Sequence, residues 1–422
     1  MNFKIYFTFK FFFHLCFSLS LLGLTACQQL SDNTISEEGI TVQTIRLGSV
    51  LALEGQEEIL GNRMKSGLKA ALDEQLVQGK KIKLIFENDY YEPPIALQKT
   101  EQLIESGIFL MIGNVGTPTA KQTLPILKKN NIPAVGFFTG AELLRSQSEL
   151  IINYRASYAQ EIESVVKMAL TAGVKPYEIC AYVQDDSYGM SGLKGLRNAL
   201  AQAQVEENIL RPYDQVLEYK KNGNQDNYFL SPVGFYARNT PYVREGYNSL
   251  KQWEKNTGIK CRLIVTAGTS TNIARFINLA QDEGEGWVIS SLSFADQEEL
   301  QFDLEEYGIK DKVIMTQVVP SLHSNLPIVQ EAKSKLENEF DNVSLEGYIV
   351  GKMTLEILQT IPGEINRDSF LKQVTISQFD LGGVSIDFTQ GRTQSSDLVL
   401  INVLTPQGFK HLKKDELRDI FE

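Results

Sequence analysis

Phe109-Leu110-Met111-Ile112-Gly113-Asn114-Val115-Gly116-Thr117-Pro118-Thr119 carries the rule by which the whole chain is built. A short run that is apolar on both faces must be covered on both faces, as a parallel strand between helix layers is. Glycines break the run, and Pro118 suits the first turn of a helix, where its missing N–H costs nothing. The stretch therefore reads as strand, turn, helix. Free N–H groups at that helix start, with the Thr117 and Thr119 hydroxyls, make a seat for a carboxylate or another anion. A plain threonine-capped turn uses the same residues, but the loop sits at the carboxyl end of its strand, where ligands of open α/β sheets bind. Phe137-Phe138-Thr139-Gly140 ends the next apolar run at the same edge, so two loops face one crevice.

The same alternation extends in both directions. Ile45 to Leu51 is strand-like, and Gly61 to Leu76 places Met64, Leu68, Leu72 and Leu76 on one helical face. Lys83 to Glu87 is a strand, and Pro93-Pro94 opens a helix. A second series has apolar runs at 178–183, 261–266, 287–291 and 313–319, with helices between them. Two such series exceed one core, so the expected fold class is α/β with two doubly wound parallel-sheet lobes. Tyr348 to Ile361 is a further helix and Leu398 to Leu404 a late strand, whereas Val205 to Lys260 shows no clear period.

The 422 residues suit two or three domains, and 43% apolar with 22% charged residues is ordinary for a packed globular protein. A net charge of −11 argues against nucleic acid as a partner, since phosphate backbones call for clustered Lys and Arg. Residues 1–26 read as an export signal: Lys4 and Lys10, then an apolar run from Phe11 to Leu24 that is shorter than a membrane span of ~20 residues. The run ends in Leu24-Thr25-Ala26-Cys27, which resembles a bacterial lipobox and makes Cys27 the expected lipidation site. Residues 27–41 are expected to be a flexible tether. Cys180 and Cys261 both lie in strand-like runs, and buried free thiols are the expected state, although export permits a disulfide.

Enzyme signatures such as G-x-S-x-G, a P-loop, H-E-x-x-H and C-x-x-C are not found. Beyond the export signal only His323 and His411 remain, which makes a histidine metal site or a His-based relay improbable. Gly189, Gly192 and Gly195 follow a strand but depart from the dinucleotide order, and read as packing glycines at a helix start. No catalysis, cofactor or metal is expected.

Several motifs in order are similar to one family. Gly55-Gln56 to Gly61, Asp89-Tyr90-Tyr91-Glu92-Pro93, Val115 to Thr119, Phe138-Thr139-Gly140-Ala141-Glu142, Arg155-Ala156-Ser157-Tyr158, Gln184 to Gly189 and Glu346-Gly347-Tyr348 together resemble extracellular solute-binding proteins of the leucine/isoleucine/valine-binding, type 1 periplasmic binding protein family. The resemblance implies two lobes joined by three crossovers, closing on a solute in the cleft. It implies lobe 1 at 42–155 plus 320–382, and lobe 2 at 156–319 plus 383–422. By motif, Thr117 matches the hydroxyl that holds a ligand carboxylate, with Thr119 beside it, and Thr139 and Gly140 match the loop that faces the ammonium. Leu60 matches an apolar first-lobe contact, Tyr188 a second-lobe aromatic, Tyr158 a residue at the first crossover, and Thr269 a position that is often aromatic. Branched-chain receptors carry an acid after the following strand. Here that stretch is Ser290-Ser291-Leu292-Ser293, Ser293 is the candidate contact, and Asp296 is the nearest acid.

The implied function is a lipid-anchored receptor of an ABC importer, held outside the cytoplasmic membrane. Its expected partners are a small solute (an amino acid, amide or related carboxylate), a permease in the inner membrane, and the membrane itself through the lipid. The alternative is an envelope lipoprotein of the same fold that acts as a sensor or a regulator of a protein partner. A hydrolase would need a nucleophile–base pair that two histidines hardly supply.

Overall fold

The computed structural model describes residues 38–145, 148–223, 230–413 and 419–421. The first sheet collects β1 (Thr44–Leu51), β2 (Leu76–Val77), β3 (Lys80–Asn88), β4 (Leu110–Ile112), β5 (Ala134–Val135) and β6 (Ile151–Ile152) in the order β2-β3-β1-β4-β5-β6. Helices α1 (Glu58–Leu72), α2 (Pro93–Glu105) and α3 (Thr117–Lys129) connect its parallel strands. Helix α4 (Tyr158–Thr171) then leads into the second sheet, whose strands are β7 (Ile179–Gln184), β8 (Val233–Tyr236), β9 (Leu263–Ala267), β10 (Val288–Ser291) and β11 (Val313–Gln317). Its connecting helices are α5 (Ser187–Gln202), α6 (Glu207–Lys221), α7 (Arg244–Thr257), α8 (Ser270–Asp282) and α9 (Gln297–Glu306).

After β11 the chain returns to the first sheet. Helices α10 (Pro327–Leu336), α11 (Asn342–Gln359) and α12 (Arg367–Ile376) precede a hairpin of β12 (Gln378–Asp380) and β13 (Ser385–Asp387). Helix α11 lies against α1 so closely that a side chain at Gly67 would meet the Ser344 carbonyl at 2.1 Å. The chain then crosses once more, and β14 (Leu400–Thr405) and β15 (Gly408–His411) complete the order β15-β14-β11-β10-β9-β7-β8. The first and last crossings run side by side: Asn153 N–H donates to Thr393 at 2.8 Å and Ser395 N–H to Asn153 at 3.0 Å. These are the two α/β lobes and the repeated crossing expected from the alternation of strands and helices.

Local chemistry explains the elements. Leu60, Met64, Leu68 and Leu72 are buried along α1, so the four-residue spacing marks its inner face. Leu76, expected on that face, is instead half exposed in the short strand β2, because the helix ends at Asp73. Ser157, Asp186, Asp296, Asp341 and Asn366 cap α4, α5, α9, α11 and α12 by accepting from backbone N–H groups. Gly192 lets α5 approach β9, where a Cβ would sit 2.5 Å from that of Ala267.

Three expectations change. The stretch 205–260 that showed no period holds α6, β8 and α7; Pro212 inside α6 and the polar face of α7 obscured the pattern. The late strand β14 is antiparallel to β11 and pairs with a further strand, so the second sheet is mixed at that edge. Cys180 and Cys261, expected to be free thiols, form a disulfide. Strand β8 goes to the outer edge, which makes β7 and β9 neighbours and brings the two Cα atoms within 5.8 Å. The bridge closes a separation of 81 residues. A Cys180→Ala/Cys261→Ala double variant should lose about 2–5 kcal/mol in urea unfolding, and an unchanged midpoint would contradict this role.

Candidate functional site

The carboxyl ends of the two sheets face each other, and the loops that leave them form a buried seam. From the first lobe come Glu57 before α1, Tyr91 before α2, Thr117 at the start of α3, and the turn Phe138-Thr139-Gly140. From the second come Tyr158 and Glu161 on α4, Asp186 and Tyr188 at the start of α5, Thr269 before α8, and Ser293, Phe294 and Asp296 before α9. Glu346 enters from α11. All of these are buried except Asp186 and Ser293, which are partly so.

The seam brings the expected residues together in different ways. Thr117 and Thr139 share a hydroxyl–hydroxyl hydrogen bond of 2.7 Å. Gly140 lies under Tyr158, whose N–H donates to its carbonyl at 2.8 Å, and a Cβ there would meet the Tyr158 ring at 2.6 Å. The Tyr158 and Tyr188 rings are 5.3 Å apart. The Tyr188 hydroxyl donates to the Gly268 carbonyl at 3.3 Å, and the Tyr158 hydroxyl has no hydrogen-bond partner. Thr119 turns back into its own turn, donating to the Val115 carbonyl at 2.6 Å. Thr269 stands at the N-cap position of α8 without a side-chain cap, its hydroxyl accepting from the Asn272 amide at 3.3 Å, and its N–H donates to the Tyr236 hydroxyl at 2.9 Å. Ser293 N–H donates to Glu161 at 2.9 Å. Leu60 is buried in the first lobe's core. Cys27 lies outside the described residues.

Residues not singled out from the sequence matter as much. Phe294 packs its ring among Tyr188, Phe138 and Tyr91, with centroids 4.7, 5.5 and 6.2 Å away. The Arg155 guanidinium is 1% exposed, stacks 4.4 Å over Phe138, donates to Ser293, and pairs with Glu346 at 3.6 Å. Its Nη1 has no hydrogen-bond partner, and neither has Glu161 Oε1. A small cavity opens beside them, lined by Phe138, Ser293, Thr316, Asn342 and Glu346. Farther out, Arg238 of the second lobe clasps Glu92 of the first at 2.8 Å, and Asn239 donates to the same carboxylate at 2.7 Å. Two signals were legible: Arg155 and Glu346 lie within the quoted motifs, and Glu57 follows Gly55-Gln56 directly.

Electrostatically the seam is acidic. Burial raises Glu57 to about 8, with the negative charge of Glu299 adding to the effect and Thr269 opposing it. Burial likewise raises Glu299 to about 7 and Glu346 to about 7, the latter despite Arg155. Asp341 is raised to about 7 by burial and by Asp296, against the pull of Arg63. Burial works against the Arg155 charge, but Glu346, Tyr158 and Glu161 hold it protonated above its usual range. The arrangement offers hydrogen-bond donors, acceptors and aromatic faces from two lobes, which suits recognition of a small polar molecule.

Comparison with known proteins agrees with this architecture. A model of the periplasmic binding protein family matches residues 44–216. The structure of a possible leucine/isoleucine/valine-binding protein from Rhodopirellula baltica is 31% identical, with a TM-score of 0.78 over 89% of this chain and 98% of the other. A branched-chain amino acid ABC transporter protein from Thermus thermophilus with bound valine has 14% identity and a TM-score of 0.68 over 88% of this chain and 96% of the other. A solute-binding protein of R. palustris in complex with 4-hydroxybenzoate has 15% identity and a TM-score of 0.67 over 88% and 96%. No match was found among curated proteins. The fold is that of a two-lobed periplasmic binding protein. This chain belongs to the type 1 periplasmic binding protein family, among the leucine/isoleucine/valine-binding relatives.

The raised carboxyls carry a consequence for stability. Unfolding returns each to its ordinary value near 4, so the folded state holds more protons between about pH 5 and pH 8. Their contribution is therefore intact at the acid end and is lost as the pH rises toward 8. The melting temperature should fall by several degrees from about pH 5.5 to about pH 8.5, with a shallower slope in Glu57→Gln. A melting temperature that rises across this window would contradict the seam electrostatics.

Proposed function

We propose that this chain is the lipid-anchored receptor of an ABC importer, and that its lobes close on a small solute bound in the seam. The observation that carries the reading is the set of buried polar atoms left without hydrogen-bond partners where the lobes meet: the hydroxyls of Tyr91 and Tyr158, Arg155 Nη1 and Glu161 Oε1. Each costs free energy when desolvated alone, and a solute with matching groups would satisfy them in the closed state. The family and the relatives with bound valine and 4-hydroxybenzoate support a small organic solute. An amino acid, amide or related carboxylate is the class to screen first, with Thr117, Thr139, Gly140, Tyr158, Tyr188, Thr269 and Ser293 as candidate contacts. The receptor delivers its solute to a permease in the inner membrane and performs no chemistry on it.

A thermal-shift screen against those classes, followed by calorimetry, tests the reading. Thr117→Val removes a hydroxyl but keeps the shape, so affinity for the solute found should fall about ten- to a hundredfold. Thr123→Val, farther along α3, should leave affinity unchanged. Equal affinities for wild type and a folded Thr117→Val variant would remove that loop from the site, and no bound solute in any class would overturn the receptor reading.

The anchor has its own test. With the export signal cleaved, acyl chains on Cys27 are the proposed membrane attachment. Cys27→Ser should move the protein from the membrane fraction to the soluble one, and persistence with membranes after a salt wash would rule the lipid anchor out.

A further inference from the structure

A cavity of about 550 Å³ lies beside the crossings of the chain between its lobes, and none of its lining residues belongs to the seam. Tyr154 on the first crossing, Ser321 and Ser324 on the second and Ser396 on the third line it, with exposed Ser385 of the β12–β13 hairpin at its rim. The first and last crossings are tied together there, where Ser396 N–H donates to the Tyr154 carbonyl at 3.0 Å. Pro320, Leu326 and Leu398 add apolar wall between the hydroxyls. A cavity of this volume, with a few polar groups set in apolar walls, suits a small organic ligand.

Its hydroxyls lack acceptors. Tyr154 is 1% exposed, and its hydroxyl has no hydrogen-bond partner although Ser396 stands beside it. A buried hydroxyl left so costs free energy that a bound acceptor would recover. Ser321, Ser324 and Ser396 accept the backbone N–H groups of His323, Leu326 and Leu398 at 3.3, 3.2 and 3.3 Å, and among the described residues none of the three donates its own proton.

The charged groups of the cavity are already engaged. Arg392 pairs with Asp397 at 2.7 Å, and the other Asp397 oxygen accepts from Gln160 and Gln394 at 2.8 and 2.7 Å. Asp387 accepts the N–H and the hydroxyl of Thr389 at 2.9 and 2.6 Å. An anion would meet two carboxylates and a guanidinium that is already paired. A cation would bring more donors to a cavity that has them in excess. A neutral molecule rich in oxygen fits, with its oxygens accepting from Tyr154 and the serines and its carbon faces against the apolar wall.

We infer that this cavity is a second binding site, distinct from the seam, for a neutral polyhydroxy compound such as a monosaccharide or a cyclic polyol. The site does not depend on what binds between the lobes.

Calorimetry on the full chain tests this, since sugars raise melting temperatures by exclusion without binding. The probes are D-glucose, myo-inositol and trehalose, with D-gluconate and protonated D-glucosamine as charged relatives. At least one neutral probe should bind one to one, and more tightly than either charged relative. Tyr154→Phe removes only the unpartnered hydroxyl and should weaken that binding about three- to tenfold. Ser385→Tyr sets a bulky ring at the rim and should abolish it, which keeps the test available if Tyr154→Phe folds poorly. Absence of binding by every neutral probe, a charged relative that binds as tightly, or a neutral probe indifferent to both variants overturns the site. A probe weakened by Thr117→Val and not by Ser385→Tyr is a solute of the seam, which overturns the second site and leaves the receptor reading standing.

Discussion

Arg155 ties the two lobes together. It lies on the first crossing of the chain, its guanidinium is buried, and it touches both sides at once: Phe138 and Glu346 from the first lobe, Ser293 from the second. A buried charge persists only where opposite charge and hydrogen bonds compensate for lost water. Here compensation is partial, because the Glu346 contact is an ion pair at 3.6 Å without a hydrogen bond and Nη1 has no hydrogen-bond partner. A packed core would avoid such a group. The proposed hinge would accommodate it, since water would satisfy the polar atoms in an open state and solute in a closed one.

The rest of the seam follows the same logic. Capping residues that the helices need for their own sake, Asp186 on α5 and Asp296 on α9, also deliver carboxylates to the carboxyl edges of the strands. Phe294 fills the space among Tyr91, Phe138 and Tyr188, so apolar contact holds the lobes together where the polar groups are least satisfied. The clasp of Arg238 and Asn239 on Glu92 adds a solvent-side hold that the proposed opening would release at modest cost. Relatives of the same fold with valine or 4-hydroxybenzoate bound illustrate that the scaffold leaves the choice of ligand to the loops.

The strands and helices could be read in advance wherever one residue type carried the message. Pro93 and Pro118 do stand in the first turns of α2 and α3, and the leucine spacing does mark the face of α1. What could not be read depended on which strands become neighbours. The sequence places β8 between β7 and β9, but the sheet sends it to the edge, and that choice creates the Cys180–Cys261 bridge. Thr119 illustrates a different limit: its hydroxyl has a partner inside its own turn, and residue type alone does not say which partner it takes.

The claim on which the account depends is that the seam is the closed form of a hinge and not a permanent core. Small-angle scattering of the chain without and with saturating solute measures this directly. The account predicts a smaller radius of gyration once solute is bound, because a ligand stabilises the closed state by its preference for that state. An identical radius in the two conditions, with calorimetry showing the site filled, would contradict it and leave a rigid molecule whose lobes do not part.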